Sequence, residues 1–116
     1  MLSPLCIRLH KAENNSDKYI SVDNPDFTEI AKQVIKEQLV ECGFDEKLIS
    51  NFEIKPLNAK KTVVYHYKNY IECSLGSFSI NADKSVINYL LKSGIGSRKS
   101  AGFGFAELLS EGGEPN

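Results

Sequence analysis

A chain of 116 residues is bounded to one domain with room for a single core. At 41% apolar and 25% charged residues, with no apolar run near the ~20 residues a bilayer helix needs, it reads as a globule whose default compartment is the cytoplasm, with no membrane partner. A net charge of −1 excludes a general polyanion-coating protein; Cys6, Cys42 and Cys73, odd in number and far apart, encode neither a disulfide framework nor a zinc site, and all three are expected as small reduced hydrophobes.

The stretch "PLCIRLH" (residues 4–10) sets Leu5, Ile7 and Leu9 against Cys6, Arg8 and His10, the alternation of a half-buried strand. A polar turn, "KAENNSDK", leads through "YISV" to the clearest helix. Its signals are Asn24 or Asp23 as N-cap, Pro25 at the first helical position, Asp26 and Glu29 in the first turn, and Gly43 as the stop. Phe27, Ile30, Ala31, Val34, Ile35, Leu39 and Cys42 recur every three or four residues, so one face must cover a sheet.

"DEKLIS" adds a helical turn, and "FEIKPL" and "TVVYHY" read as two strands, the second closing at "KN". "YIECSLGSFSIN" is a long strand with Ile71, Cys73 and Leu75 in one phase and Phe78 and Ile80 in the other; the change of phase predicts a β-bulge at Gly76. "ADKSVINYLLKSG" is a second helix, capped near Asp83 and carrying Val86, Ile87, Leu90 and Leu91. After a glycine-rich loop, "GFGFAELL" returns as the last strand, and residues 110–116 form a disordered tail.

The order β, α, β, β, α, β predicts an α+β, ferredoxin-like βαββαβ domain over residues 1–109. It has a four-stranded antiparallel sheet, both helices on one face, an extra β-hairpin, and the opposite sheet face open to a ligand. Charge is uneven along it. From Lys55 to Lys99 there are eight basic residues against two acidic ones, Glu72 and Asp83, so the domain is expected to have a basic side able to hold a phosphate backbone.

The loop "GIGSRKSAGFG" (residues 94–104) is neither a P-loop nor a dinucleotide fingerprint. Lys99-Ser100 follows Arg98 and a helix, and Lys99 stands where the third glycine would be. It meets the negative end of the helix dipole. An anion here must therefore be held by backbone N–H groups in a nest together with Arg98 and Lys99, a geometry that glycines permit.

The pattern Gly94-Ile95-Gly96, "SRKSA", Gly102-Phe103-Gly104 resembles the signature loop of the CRISPR-associated repeat-RNA-processing endoribonucleases of the RAMP superfamily. "SPLCIRL", "YISVDNPDF" and "IECSLGSFSI" resemble further family segments in order, so the similarity covers nearly the whole chain. It implies two ferredoxin-like domains in tandem, of which this sequence corresponds to the C-terminal one. It also implies metal-independent cleavage through a ribose 2′-hydroxyl without a cofactor, and a general acid/base histidine that usually lies in the first domain. Onto this chain it carries only RNA-backbone positioning by Gly94, Gly96, Arg98, Lys99, Gly102 and Gly104, with Ser97 between them. CRISPR repeat RNA is the implied partner, along with a second copy of the chain or a first domain.

His10 and His66 are the candidate proton carriers of a small intact nuclease, against the plainer reading of half-exposed strand residues. Around His66, Tyr67 and Lys68 belong to an aromatic, cationic hairpin able to stack bases and pair with phosphate, or else to a cross-strand pairing that only steadies the hairpin. The glycines themselves have a structural alternative: ending the second helix and packing tightly on the first strand. A non-catalytic scaffold whose sheet face docks a protein is the competing function.

Overall fold

Among the described residues two β-hairpins and three helices follow in the order β1 (Ile7–Lys11), β2 (Ser16–Ile20), α1 (Phe27–Glu41), α2 (Glu46–Ile49), β3 (Glu53–His66), β4 (Asn69–Asn81) and α3 (Lys84–Ser93). The computed structural model describes residues 1–11, 16–66, 68–97, 99 and 102–108, with the backbone alone at 10, 11, 16, 17, 66 and 69. The tail from residue 110 lies outside the described residues.

The first strand joins everything. Leu5 exchanges backbone hydrogen bonds with Ser74 of β4 at 2.7 and 3.0 Å, and from Ile7 onward β1 pairs with β2 instead. On its other edge Cys6 bridges Gly96 in parallel. The sheet is therefore the antiparallel, ferredoxin-like arrangement with three departures. The extra hairpin is β1–β2, and "FEIKPL" and "TVVYHY" fuse into the single strand β3. The described part of "GFGFAELL", residues 102–108, is not a strand: Gly104 N donates to Pro4 O and Leu2 N to Phe105 O, which leaves residues 102–105 beside residues 2–4, while Gly96 supplies the only bridge on that edge among the described residues.

Helices α1 and α3 cover one face. Phe27, Ala31, Ile35 and Leu39 of α1 and Val86 and Leu90 of α3 pack with Leu5, Ile7, Ile20, Phe52 and Ile54 in the main core. Asn24 opens the turn before α1, its side chain accepting from Asp26 N at 2.8 Å, so the helix begins two residues later than the proline signal places it. Gly43 ends the turn after α1 at φ +95°. Cys42 is a correction: it is exposed at the C-cap, its Sγ 2.7 Å from the Tyr89 hydroxyl, whereas Cys6 and Cys73 are buried as expected.

The sheet's other face carries a second, smaller cluster of Cys6, Ile71, Cys73 and Phe103. It accounts for the change of phase along β4. Opposed residues in a ladder share a face, so Ile54 and Ile80 point to the helices while Val64 and Ile71 point away. The strand β4 keeps one alternation throughout and serves two cores in turn. The irregularity sits in β3, where the register shifts between Pro56 and Asn58 opposite Ser77 and Phe78. Gly76 has a different role, since a Cβ there would lie 2.1 Å from Asn58 O. At about 3.3 Å per residue the 14 residues of β3 span about 46 Å, which is the molecule's 45 Å long dimension.

Candidate nucleic-acid interface

Residues 94–104 are sewn into the domain. Gly94 stops α3 at φ +96°, its N–H donating to Leu90 O at 2.9 Å. Ile95 N donates to Gly104 O, Ser97 N to Cys6 O, Gly102 N to Lys99 O and Gly104 N to Pro4 O, all at 2.8–2.9 Å. Gly96 N donates to Oε1 of Gln38 at 2.9 Å, and Nε2 of the same side chain donates to Gly94 O at 3.1 Å. Ser97 Oγ accepts from Arg8 N at 3.2 Å.

These amides are therefore not available to the expected nest. The described amides of Gly94, Gly96, Ser97, Gly102 and Gly104 already have protein acceptors, so none of them is open to a phosphate without breaking a bond worth about 1 kcal/mol net. The glycines instead make tight crossings: a Cβ on Gly96 would stand 2.6 Å from Cys6 O and one on Gly104 2.0 Å from Ile95 O. Phe103, 4% exposed, anchors the loop in the second cluster. The sheet face expected to be open is thus partly covered by the loop itself.

The loop's described cation lies on the helix side. The stem of Lys99 passes over Gly94, and its Nζ sits 5.9 Å from the centroid of the Tyr89 ring, a cation–π contact close to the C-terminal end of α3, where positive charge is favoured. The ring of Tyr89 is held edge-on by Phe44 at 5.4 Å. Arg98 lies outside the described residues, as does Tyr67. Lys68 is exposed at the β3–β4 turn with φ +64°. By backbone, His10 is in β1 opposite Asp17 and His66 in β3 opposite Asn69, in separate hairpins.

Strand alternation divides the basic segment. Lys55 and Lys60 lie on the face away from the helices. Lys61 lies on the helix side, 4.0 Å from Asp23, and Lys84 and Lys92 are exposed on α3. The expected single basic side is therefore spread over two faces. Among the described residues Lys55, Lys60, Lys68, Lys84 and Lys92 form no ion pair; Lys32 does, with Glu53 at 3.0 Å, and that hydrogen bond raises its pKa. Asp83 caps α3 by accepting from Ser85 Oγ at 2.6 Å and Ser85 N at 2.9 Å, and these bonds hold its carboxyl below the ordinary aspartate range. Among the described residues no three His, Cys, Asp or Glu side chains converge as metal ligands, and no helix is long and apolar enough to cross a membrane.

Sequence reasoning named the loop but missed Gln38 and Tyr89, which hold it. Nothing local marks them, because their partners are in the loop, more than fifty positions away in the case of Gln38.

A two-layer α+β domain whose C-terminal glycine loop is stitched to its first strand and first helix is the class of structure defined here. The chain belongs to the family CRISPR associated protein Cas6, C-terminal, whose description matches residues 1–108. Among solved structures it is similar to a CRISPR associated protein Cas6, with 22% identity and a TM-score of 0.69 over 90% of this chain and 45% of that one. It is also similar to an RAMP protein binding different RNA substrates, with 25% identity and a TM-score of 0.78 over 94% and 46%. A third is the product of a Cas6-related gene from Pyrococcus furiosus, with 23% identity and a TM-score of 0.77 over 97% and 47%. No curated protein sequence matches the chain. The chain spans a little under half the length of these solved relatives.

Proposed function

We propose that this chain is the RNA-positioning, C-terminal domain of a CRISPR repeat-RNA endoribonuclease, and that acid/base chemistry on the ribose 2′-hydroxyl is supplied by another domain or polypeptide. The observation that carries the reading is the family match over residues 1–108, with a relative of the same fold that binds RNA. The loop contributes through Arg98 and Lys99, with Ser97 and Gly94, Gly96, Gly102 and Gly104 fixing the backbone from which those cations extend; Lys68 and Tyr67 contribute at the β3–β4 turn. Phosphate contacts of this kind set position and leave sequence choice to RNA shape and unpaired bases.

Titration of the chain with CRISPR repeat RNA, followed by a cleavage assay in EDTA, tests this. Binding at low salt without cleavage is the expected result. Cleavage lost on changing His10 or His66 would make the chain a complete small nuclease instead, and absence of binding would leave the scaffold reading. That second reading draws on Leu2 and Leu108, 65% and 53% exposed on segments joined by the Leu2–Phe105 hydrogen bond. They favour self-association, and light scattering with and without RNA separates an RNA-indifferent oligomer from an RNA-binding domain.

A further inference from the structure

The far half of the β3–β4 hairpin sets exposed aromatic side chains beside a cationic turn. Register places Tyr65 directly opposite Tyr70 and Val63 opposite Glu72, so Val63, Tyr65 and Tyr70 share one face of the ladder. These three side chains are 51%, 60% and 75% exposed, and no part of the described domain covers them. The two tyrosine rings touch each other, centroids 4.8 Å apart and planes tilted by 50°, which leaves their outer surfaces to solvent.

The lysines nearest the rings are Lys61, on the same face and 4.0 Å from Asp23, and Lys68 at the adjoining turn, while Lys55 and Lys60 lie on the opposite face. Residues 54–71 include four lysines, Lys55, Lys60, Lys61 and Lys68, and no carboxylate. The nearest acid on the same face, Glu72, accepts a hydrogen bond from Ser21 and so is turned toward the body of the domain. Cross-strand aromatic pairing steadies a hairpin, but steadying alone does not require rings this exposed at the end of a cationic ribbon.

Resting on the RNA-binding reading above, we infer that Tyr65 and Tyr70 form a base-stacking platform for an unpaired stretch of the RNA, a site separate from the glycine loop. The ligand that matches flat aromatic surface within a carboxylate-free, lysine-rich segment is one with planar apolar faces on an anionic backbone. Single-stranded RNA has both: a base lies on the outer face of a tyrosine while Lys68 at the adjoining turn meets a phosphate. A duplex hides its base faces in the stack and gains nothing from the rings.

The test compares oligouridine with an RNA duplex of the same length, across a salt series, for the parent chain and the variants Tyr65→Leu/Tyr70→Leu and Tyr65→Phe/Tyr70→Phe. Stacking of one base is worth about fivefold or more in affinity. The leucine pair is expected to lose at least that for oligouridine with the salt slope unchanged, the phenylalanine pair to keep it, and duplex affinity to be the same in all three. Because the chain has no tryptophan, quenching of tyrosine emission by oligouridine reports the same contact directly and is expected to shrink in the leucine pair.

Equal oligouridine binding by the leucine pair, or an equal loss on the duplex, overturns the platform while leaving RNA binding by the loop in place. A parent chain that binds neither RNA overturns both. Binding to phosphatidylserine vesicles that is lost in the leucine pair, with oligouridine binding intact, assigns the rings to a lipid surface and overturns the platform. Thermal unfolding of both variants verifies that the hairpin is folded, and the phenylalanine pair keeps the test decisive if leucine unfolds it.

Discussion

Gln38 of α1 and Gly96 of the C-terminal loop, 58 positions apart, meet in a 2.9 Å hydrogen bond from Gly96 N to Oε1, while Nε2 of the same side chain donates to Gly94 O. One amide therefore reads both sides of the loop's first turn and fixes it to the helix layer. Replacing it by methionine, which keeps length and removes both bonds, is expected to cost about 2 kcal/mol in urea unfolding. Amide exchange at Gly96 should accelerate by more than the global change. Unchanged Gly96 protection would show that the strand bridge to Cys6 alone holds the loop.

The three loop glycines at positions 96, 102 and 104 all have φ between +84° and +95°, but only two are crowded. Gly102→Ala meets open space and should cost only the left-handed backbone term, about 1 kcal/mol. Gly96→Ala and Gly104→Ala add overlap with Cys6 O and Ile95 O and should cost about 3 kcal/mol or more. Denaturant midpoints in the order Gly102 well above Gly96 and Gly104 support the packing role; equal midpoints would refute it.

Phe103 closes the second cluster over Cys6 and Cys73. Phe103→Ala should destabilise by about 3 kcal/mol and bring Cys6 and Cys73 within reach of a thiol reagent under native conditions. In the parent chain Cys42 is the exposed cysteine and should react fastest. A variant whose two buried cysteines still react as slowly as in the parent would show that the face is closed by something other than this ring.

How far the fold was legible follows from which partners each signal involves. The apolar stripe of α1 and the glycine after α3 are local features and were read correctly. The phase change along β4 was visible too, but its cause was not. An isolated strand cannot reveal that Ile71 and Cys73 face Phe103 while Phe78 and Ile80 face the helices, so one continuous alternation looked like a bulge at Gly76. The β1–β2 hairpin was missed because its second strand, "SDKYI", has almost no apolar alternation and depends on pairing with β1. At the loop, glycine spacing identified the segment, but the acceptors that occupy its amides come from Cys6, Pro4, Leu90 and Gln38, and no local pattern announces them.

Acid stability should report on Asp83. Its folded-state pKa is lowered by the bonds from Ser85, so the cap stabilises α3 above the unfolded-state value, and that contribution is lost as pH falls through the folded value, below the ordinary aspartate range. Asp83→Asn keeps a cap without a titrating group. Urea midpoints from neutral pH down to about pH 2 should decline less steeply in this variant than in the parent, with little difference at neutral pH. Parallel acid limbs would remove Asp83 from the pH dependence.

The proposed function has the glycine loop meet RNA through side-chain cations, the amides of Gly94, Ile95, Gly96, Ser97, Gly102 and Gly104 being committed to the fold. The most direct measurement is the salt dependence of repeat-RNA affinity for the parent chain and for Arg98→Ala/Lys99→Ala. Two lost phosphate contacts on single-stranded RNA should reduce the magnitude of the log–log slope by about 1.4, with weaker binding at low salt. An identical slope and affinity in the double variant would contradict the account.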